Sequence, residues 1–351
     1  MKLTFLCKRR PMSRDLLTNP YGRFYYLPKL LADRGHDVTV VLLDYRGDEP
    51  VDIRRDGIRW LSLSVTRYVS GTLGAVRGDP PDWVVGFSDT YFGIFARRIA
   101  RKLGCRYAID AYDNYESYMP WAFPLHALWR RALRDADLIT AAGPGLVELM
   151  ARGQSTSATA VVPMAADPTG FEPRDRAACR RMLGLPDDKV LVGYCGSMHR
   201  SRGVEVLFDA LPLITAARPN VGFVHSGRTW KDVPLPDAIN SLGYIDDDKV
   251  PVLLNAMDVL VVVNRDSAFG QFSYPVKLYE AMSCGIPVVA TRTQATEWIL
   301  SQQPNRLFAA GDPEALTHAV LDALDNPCGT AGTAAGWDKA CDALESALNQ
   351  A

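Results

Sequence analysis

The chain has 351 residues, 48% of them hydrophobic and 23% charged, with a net charge of −1. That length suits two domains, and the composition is that of an ordinary globular protein rather than a disordered or fibrous one. No apolar run approaches the roughly 20 residues of a membrane helix, which excludes a helical membrane protein.

The charge is divided unevenly. Residues 1–165 carry 23 Lys and Arg against 17 Asp and Glu, a balance of +6; the remainder stands at −7. A basic half joined to an acidic half implies an anionic partner for the first, and nothing points to nucleic acid. The start, MKLTFLCKRRPM, breaks into basic residues too soon for a secretory signal, and seven scattered cysteines without a C-x-x-C imply reduced thiols. A cytoplasmic protein is expected.

In chain order, Lys2–Cys7 reads as a strand, residues 9–23 as a polar loop containing Gly22, Phe24–Arg34 as a helix and Val38–Leu43 as a second strand. Read from the residues alone, Gly22 is a helix-entry turn. Ile58–Leu63, Trp83–Phe87, Tyr107–Ile109 and Leu138–Thr140 are further strands, with helical patterns between most of them, so a parallel sheet is expected. Gly71, Gly74 and Gly78 read as a flexible loop. Tyr91–Leu103 is amphipathic: Phe92, Phe95, Ile99 and Leu103 share one face, while Arg97, Arg98, Arg101 and Lys102 crowd the other. That face is either a solvated surface or, with Trp121, Phe123 and Trp129 beside Arg130, Arg131 and Arg134, a patch that leans on anionic lipid. Asp110 and Asp113 follow a strand end, where open α/β sheets place ligands; Asp113 is equally well placed as a helix cap.

The polar stretch Gln154–Ala160 and Val161–Pro163 close a first domain of residues 1–166. The second, 167–330, restarts with a helix at Arg174–Leu183 and a strand at Val190–Cys195, and residues 331–351 supply a tail helix. The loop Gly196-Ser197-Met198-His199-Arg200-Ser201-Arg202-Gly203 then leads into a helix. Two cations at a helix N-terminus suit a diphosphate, since the helix dipole and the point charges add there; the alternative is two solvated arginines on a surface turn. Val221–Ser226 and Leu242–Ile245 follow, and Asp246 and Asp248 read as caps of a helix from Val250 rather than as a metal pair; no metal is expected.

Val259–Val263 is a buried parallel strand that stops at Asn264-Arg265-Asp266. Its loop carries Gly270 and ends at Pro275, Val276–Ser283 is a short helix, and Pro287–Ala290 is the next strand. Strand, glycine loop, helix and strand offer free N–H groups to a phosphate. Lys277 in the first turn suits the diphosphate, and Glu280 one turn on suits a pair of ribose hydroxyls. Asp312–Leu324 and Trp337–Leu348 are the last helices.

The string K-L-Y-E-A-M-S-C-G-I-P-V-V-A, residues 277–290, resembles the donor-site signature of family 4 glycosyltransferases, retaining enzymes of the GT-B fold. Glu280 falls on the second glutamate of that family's paired motif, whose partner position, eight residues earlier, holds Phe272. The S-Y-P-V-K form is similar to a P-x-K variant found in some members, including ones that act on lipid-linked acceptors. The resemblance implies two Rossmann-like domains facing a cleft, a nucleotide-diphosphate sugar of UDP or GDP type as donor, and no cofactor. It implies donor contacts from Gly22, Gly196, Ser197 and Arg200, from Gly270, Gln271, Phe272, Ser273 and Tyr274, and from the backbone at Tyr244 and Ile245 near the base. Arg202 stands for the family's diphosphate lysine. Asp110-Ala111-Tyr112-Asp113 resembles its D-x-H-D segment, with Tyr112 in the histidine's place. Arg202 and Lys277 would stabilise the leaving diphosphate, and Asp110 or Asp113 would orient the acceptor hydroxyl or take its proton. The expected activity is retaining sugar transfer in polysaccharide, glycolipid or lipid-linked glycan assembly, possible membrane contact included. A sugar-nucleotide epimerase or a catalytically silent nucleotide-sugar-binding subunit are the alternatives.

Overall fold

The computed structural model describes residues 1–351 except 154–157, 232 and 328–335. The chain divides into two compact units, Met1–Met164 with Ala335–Ala351, and Ala165–Ala334. Each is a doubly wound α/β layer structure.

Unit 1 runs β1 (Lys2–Lys8), α1 (Arg23–Asp33), β2 (Asp37–Asp44), β3 (Val51–Arg55), β4 (Ile58–Ser64), α2 (Tyr68–Val76), β5 (Trp83–Phe87), α3 (Thr90–Leu103), β6 (Arg106–Ala111), α4 (Phe123–Arg134), β7 (Leu138–Ala141), α5 (Pro144–Met150) and β8 (Ala158–Val161). The sheet order is β3-β4-β2-β1-β5-β6-β7-β8, parallel except for the β3–β4 hairpin. Strands read as unbroken apolar runs because helices cover both faces: Val38 and Val40 to Leu42 are wholly buried. The direction of strand succession reverses between β1 and β5, which is where such sheets bind ligands.

Three elements depart from expectation. Gly71 and Gly74 lie within α2, not in a loop, because Gly71 packs under Leu63: a Cβ there would come within 2.9 Å of its Cδ1. The end of the polar stretch read at 154–160 forms β8, pairing with β7, while residues 154–157 lie outside the described set. The edge strand β3 was not expected, since Val51–Arg55 is mostly polar and exposed.

Unit 2 runs α6 (Arg176–Leu183), β9 (Val190–Cys195), α7 (Glu205–Ala217), β10 (Val221–Ser226), β11 (Ile239–Ser241), α8 (Val250–Ala256), β12 (Val259–Val262), α9 (Val276–Ser283), β13 (Val288–Thr291), α10 (Gln294–Ile299), β14 (Leu307–Phe308) and α11 (Pro313–Asp325). Its parallel sheet is ordered β11-β10-β9-β12-β13-β14, reversing between β9 and β12. Adjacent residues of β9 feed opposite cores: Val192 joins the α7 and α11 side with Val206, Ile214 and Val320, and Leu191 joins the α6 and α8 side with Cys179, Val252 and Met257. Before α8, Asp246 occupies the capping position without a side-chain cap bond and pairs instead with Lys249 Nζ at 3.4 Å.

The final helix, α12 (Trp337–Gln350), belongs to unit 1, and residues 331–335 of the expected tail lie outside the described set. Trp337 stacks on Tyr26 at 5.7 Å, and Glu345 accepts from His36 at 2.7 Å and Arg34 at 2.6 Å, which holds its carboxyl below the usual range. Among the described residues, no helix is long and apolar enough to cross a membrane.

Candidate functional site

In unit 2 the loops leaving β9 and β12, the two strands at the reversal, meet each other. The β9 loop starts tightly. Gly196 N–H donates to Ser226 O at 2.9 Å, and its carbonyl faces the wholly buried His225, whose Nε2 lies 3.0 Å away. Ser241 Oγ lies 3.1 Å from Nδ1, and burial lowers the imidazole pKa, so His225 is a neutral peg under the loop. Gly227, at φ +145°, leaves no room for a side chain: its Cβ would stand 2.1 Å from Gly196 O. Met198 then pairs with the β10 loop through Arg228 O at 2.8 Å.

The loop ends in a short turn, Arg200–Arg202, closed by Gly203 in the left-handed region at φ +76°. A Cβ on Gly203 would already touch Arg265 Cγ at 3.0 Å, so the two loops are in contact. Arg202 crosses that contact. Its Nη1 donates to Asn264 Oδ1 at 3.3 Å, and its guanidinium lies 5.3 Å from the centre of the Phe269 ring. Asn264 is 5% exposed at the end of β12 and donates its N–H to Thr291 Oγ1. Sequence reading missed Asn264; a polar residue directly after a run of valines was its only signal. Arg200 and Ser197 are exposed on the same loop.

The β12 loop resolves differently from expectation. Gly270 is required because a Cβ would stand 1.9 Å from Arg265 O. The N–H groups of Gly270, Gln271, Phe272 and Ser273 donate to Ser267 Oγ, Ser267 O, Phe269 O and Gly270 O. They are therefore spent inside the turn rather than offered to a phosphate. Phe272, Ser273 and Tyr274 are buried and support the turn from beneath, Tyr274 against Trp298. Gln271 bridges Asp266 and the N–H of Gln294. What this leaves for an anion is the first turn of α9, to which the N-cap residue Pro275 supplies no side-chain cap.

Lys277 rises from that first turn and binds Glu280 Oε2 at 2.7 Å; Glu280 itself is 7% exposed. Burial pushes the Cys195 thiol up, while the Lys277 cation pulls it down and Glu280 raises it, so the end of β9 lies within the field of both groups. Arg202, on the loop after β9, and the Lys277–Glu280 pair, on the helix after the β12 loop, thus come from two separate segments to one strand-order reversal. Toward β10, Tyr244 is 66% exposed with the Arg228 guanidinium 5.8 Å from its ring centre, and Ile245 follows it at the lip.

In unit 1, Gly22 caps α1 at φ +62°, with its carbonyl taking the N–H groups of Tyr25 and Tyr26. Asp110 is wholly enclosed. Arg23 binds it with two bonds of 2.6 Å and Thr140 adds a third, so no lone pair faces a substrate. Its expected role toward the acceptor is corrected to a structural one. Asp113 is half-buried on the following loop and accepts from Tyr118 Oη at 2.8 Å. The basic face of α3 is partly neutralised, because Arg97 and Arg101 share Asp135.

Two family models match the chain. Residues 23–166 fit the "Glycosyl transferase 4-like domain", and residues 189–326 fit "Glycosyl transferases group 1". A D-inositol 3-phosphate glycosyltransferase of Arthrobacter sp. is 31% identical over 214 residues, which is 53% of this chain and 49% of that protein. A GDP-mannose-dependent alpha-mannosyltransferase of Mycolicibacterium smegmatis is 27% identical over 334 residues, 83% of this chain and 82% of its own. The chain spans about half or less of the length of the first curated relatives it matches. Anabaena HepE, solved in complex with UDP, shares the fold with a TM-score of 0.73 over 100% of this chain and 98% of its own, at 15% identity. Two matched domain models, relatives of one kind and a shared two-unit fold leave one assignment: the chain belongs to the family 4 glycosyltransferases of the GT-B fold.

Proposed function

We propose that the chain transfers a sugar from a nucleotide-diphosphate donor to an acceptor hydroxyl, with retention of anomeric configuration. The observation that carries this reading is that Arg202 and the Lys277–Glu280 pair stand on the two loop-and-helix segments leaving β9 and β12, the strands of the reversal, with Pro275 supplying no side-chain cap to α9. Transfer breaks the bond between the anomeric carbon and a diphosphate oxygen, forms one to the acceptor oxygen, and releases a proton from that hydroxyl. The nucleoside diphosphate leaves with added negative charge, so fixed positive charge is the main demand on the protein. Arg202, Lys277 and the α9 N-terminus would meet it, with Arg200 at the loop's outer edge. Glu280 would exchange its bond to Lys277 for the ribose hydroxyls, freeing the ammonium for phosphate. The exposed Tyr244 and the backbone of Ile245 would meet the base. In unit 1, Asp113 rather than Asp110 would face the acceptor. GDP-mannose in the name of a relative matched over most of its length favours a hexosyl donor of UDP or GDP type.

A second reading concerns the acceptor. The outward stripe of α4 and the residues before it is apolar at one end and basic at the other. Trp121, Phe123 and Leu128 are 78%, 72% and 53% exposed, and Arg131 and Arg134 are exposed beyond them, as is Arg130, which is paired with Glu116. Such a helix suits the headgroup level of an anionic leaflet, and this stripe, rather than the face of α3, would hold unit 1 near a lipid-linked acceptor in glycolipid or polysaccharide assembly.

Labelled UDP- and GDP-sugars, offered with and without inositol- and lipid-linked acceptors, test the proposal. Acceptor-dependent release of nucleoside diphosphate with an α-linked product from an α-linked donor is expected. Acceptor-independent isomerisation would instead mark an epimerase, and binding without turnover a silent subunit.

A further inference from the structure

Among the charges in unit 1 that the donor reading leaves unused is one wholly enclosed pair. Arg23 is the first residue of α1, directly after Gly22, with its side chain 1% exposed. Asp110 is near the end of β6, 0% exposed, 87 residues away. Nε donates to Oδ2 and Nη2 to Oδ1, both at 2.6 Å, the two-pronged geometry that fixes orientation as well as distance. The remaining prong is also spent: Nη1 donates to the carbonyls of Val162 at 2.8 Å and Pro163 at 3.1 Å, in the segment that follows β8.

The same two residues reach three loops at the carboxyl edge of the sheet. Through Arg23, the pair sets the entry of α1 and with it Gly22. Through the Asp110 carbonyl, which accepts from Ser88 N–H at 2.9 Å, it holds the turn after β5. That turn is strained, since Ser88 and Asp89 both stand in the left-handed region at φ +62° and +41°. Through the chain itself, Asp110 leads into Tyr112 and Asp113, and Phe24, next to Arg23, meets the Tyr112 ring edge-on at 5.8 Å. The β1–β5 reversal of unit 1 lies among these loops.

We propose that Arg23 is a positioning residue for the acceptor side of the reaction: paired with Asp110, it locks the Gly22, Ser88–Asp89 and Tyr112–Asp113 loops into one rigid rim. It touches no substrate. Its effect runs through the placement of Asp113 and the loop backbones, and loss of the pair leaves the loops individually intact but uncoupled. The turnover part of the test rests on the glycosyl-transfer reading above; the exchange part does not.

The experiment compares the full-length wild type with Arg23→Lys and with the double variant Arg23→Met/Asp110→Leu. Replacing a buried ion pair by apolar groups of similar size commonly preserves folding, which guards against a variant that fails to fold. Amide hydrogen exchange is followed across the chain, together with UDP and GDP affinity and sugar release from the matching donor. The expected result is a joint loss of protection, at least tenfold, in peptides covering 20–24, 86–90 and 111–116. Peptides of unit 2 and nucleotide affinity should stay within twofold. Turnover should drop at least tenfold in the double variant, with Arg23→Lys intermediate. A folded double variant that keeps loop protection, or that loosens its loops without losing turnover, overturns the proposal. If the wild type binds neither UDP nor GDP, the donor reading fails, while the exchange result still decides whether the three loops are coupled.

Discussion

The two sheets of this chain handle charge at their strand ends in opposite ways. In unit 1 the charges consume one another: Arg23 is saturated by Asp110 and two carbonyls, and Arg9 and Arg10 are absorbed by Asp15, Asp44 and Asp48. At the loops leaving β9 and β12 in unit 2 they are held more lightly. Among the described residues the Arg202 guanidinium has a single 3.3 Å side-chain bond and an aromatic neighbour, and Lys277 holds Glu280 across one helical turn. A saturated pair makes a rigid frame, whereas a lightly held cation is one that a ligand can capture. The difference separates residues that shape a site from residues that bind in it.

The largest effect should come from breaking the frame. Asp110→Ala leaves Arg23 buried without its partner and should cost about 3–5 kcal/mol in denaturant unfolding of unit 1. A loss under about 1 kcal/mol would mean that water reaches the pair, as at exposed bridges. Next, Arg202→Ala and Lys277→Ala should each lower turnover by about a hundredfold, roughly 2.7 kcal/mol, while donor affinity falls less. Equal losses in turnover and affinity would recast both as plain binding residues.

A smaller effect follows from His225. Burial depresses its folded-state pKa, so the unfolded chain takes up the proton first as the medium acidifies. Its contribution is complete above the unfolded value of about 6.5 and is lost as pH falls below that. The melting temperature of the wild type should therefore drop between pH 6.5 and 5 more steeply than that of His225→Gln. Parallel curves would mean that the imidazole takes up its proton as readily in the folded state as in the unfolded chain. The smallest effect is at the surface of α4. Wild type should co-sediment with anionic vesicles at low salt, gaining roughly 1 kcal/mol per arginine near the bilayer. Trp121→Ser/Phe123→Ser should weaken that binding, and Arg98→Glu/Lys102→Glu on α3 should change it less. The reverse ranking would return the patch to α3.

How much of this was legible in the sequence depended on the range of the interaction. The β12–α9–β13 unit could be read directly, because Val259–Val263, Gly270, Pro275 and Gly285 mark a period change and its punctuation within 30 residues. Arg202 and Lys277 announced themselves as cations at helix starts. The N–H groups of Gly270 to Ser273 misled, since free donors in a glycine loop look the same in sequence as donors closed by a turn. Asp110 misled for a different reason. A carboxylate at a strand end resembles a ligand until its partner is known, and Arg23 lies 87 residues away. Asn264 and His225 were missed because each acts through one bond to a loop from another segment. The helix over Gly71 and Gly74 was missed because packing against Leu63, not propensity, decides it.

The central claim is that unit 2 grips the ribose and diphosphate of a nucleotide through Glu280 and its neighbours. Calorimetry with UDP, GDP and their 2′-deoxy counterparts, on wild type and Glu280→Ala, tests it most directly. The account predicts that wild type prefers the ribonucleotide, that Glu280→Ala loses about 2–4 kcal/mol of its affinity, and that the variant no longer distinguishes the two sugars. Unchanged ribonucleotide affinity in Glu280→Ala, with the preference over the 2′-deoxy form intact, would contradict it.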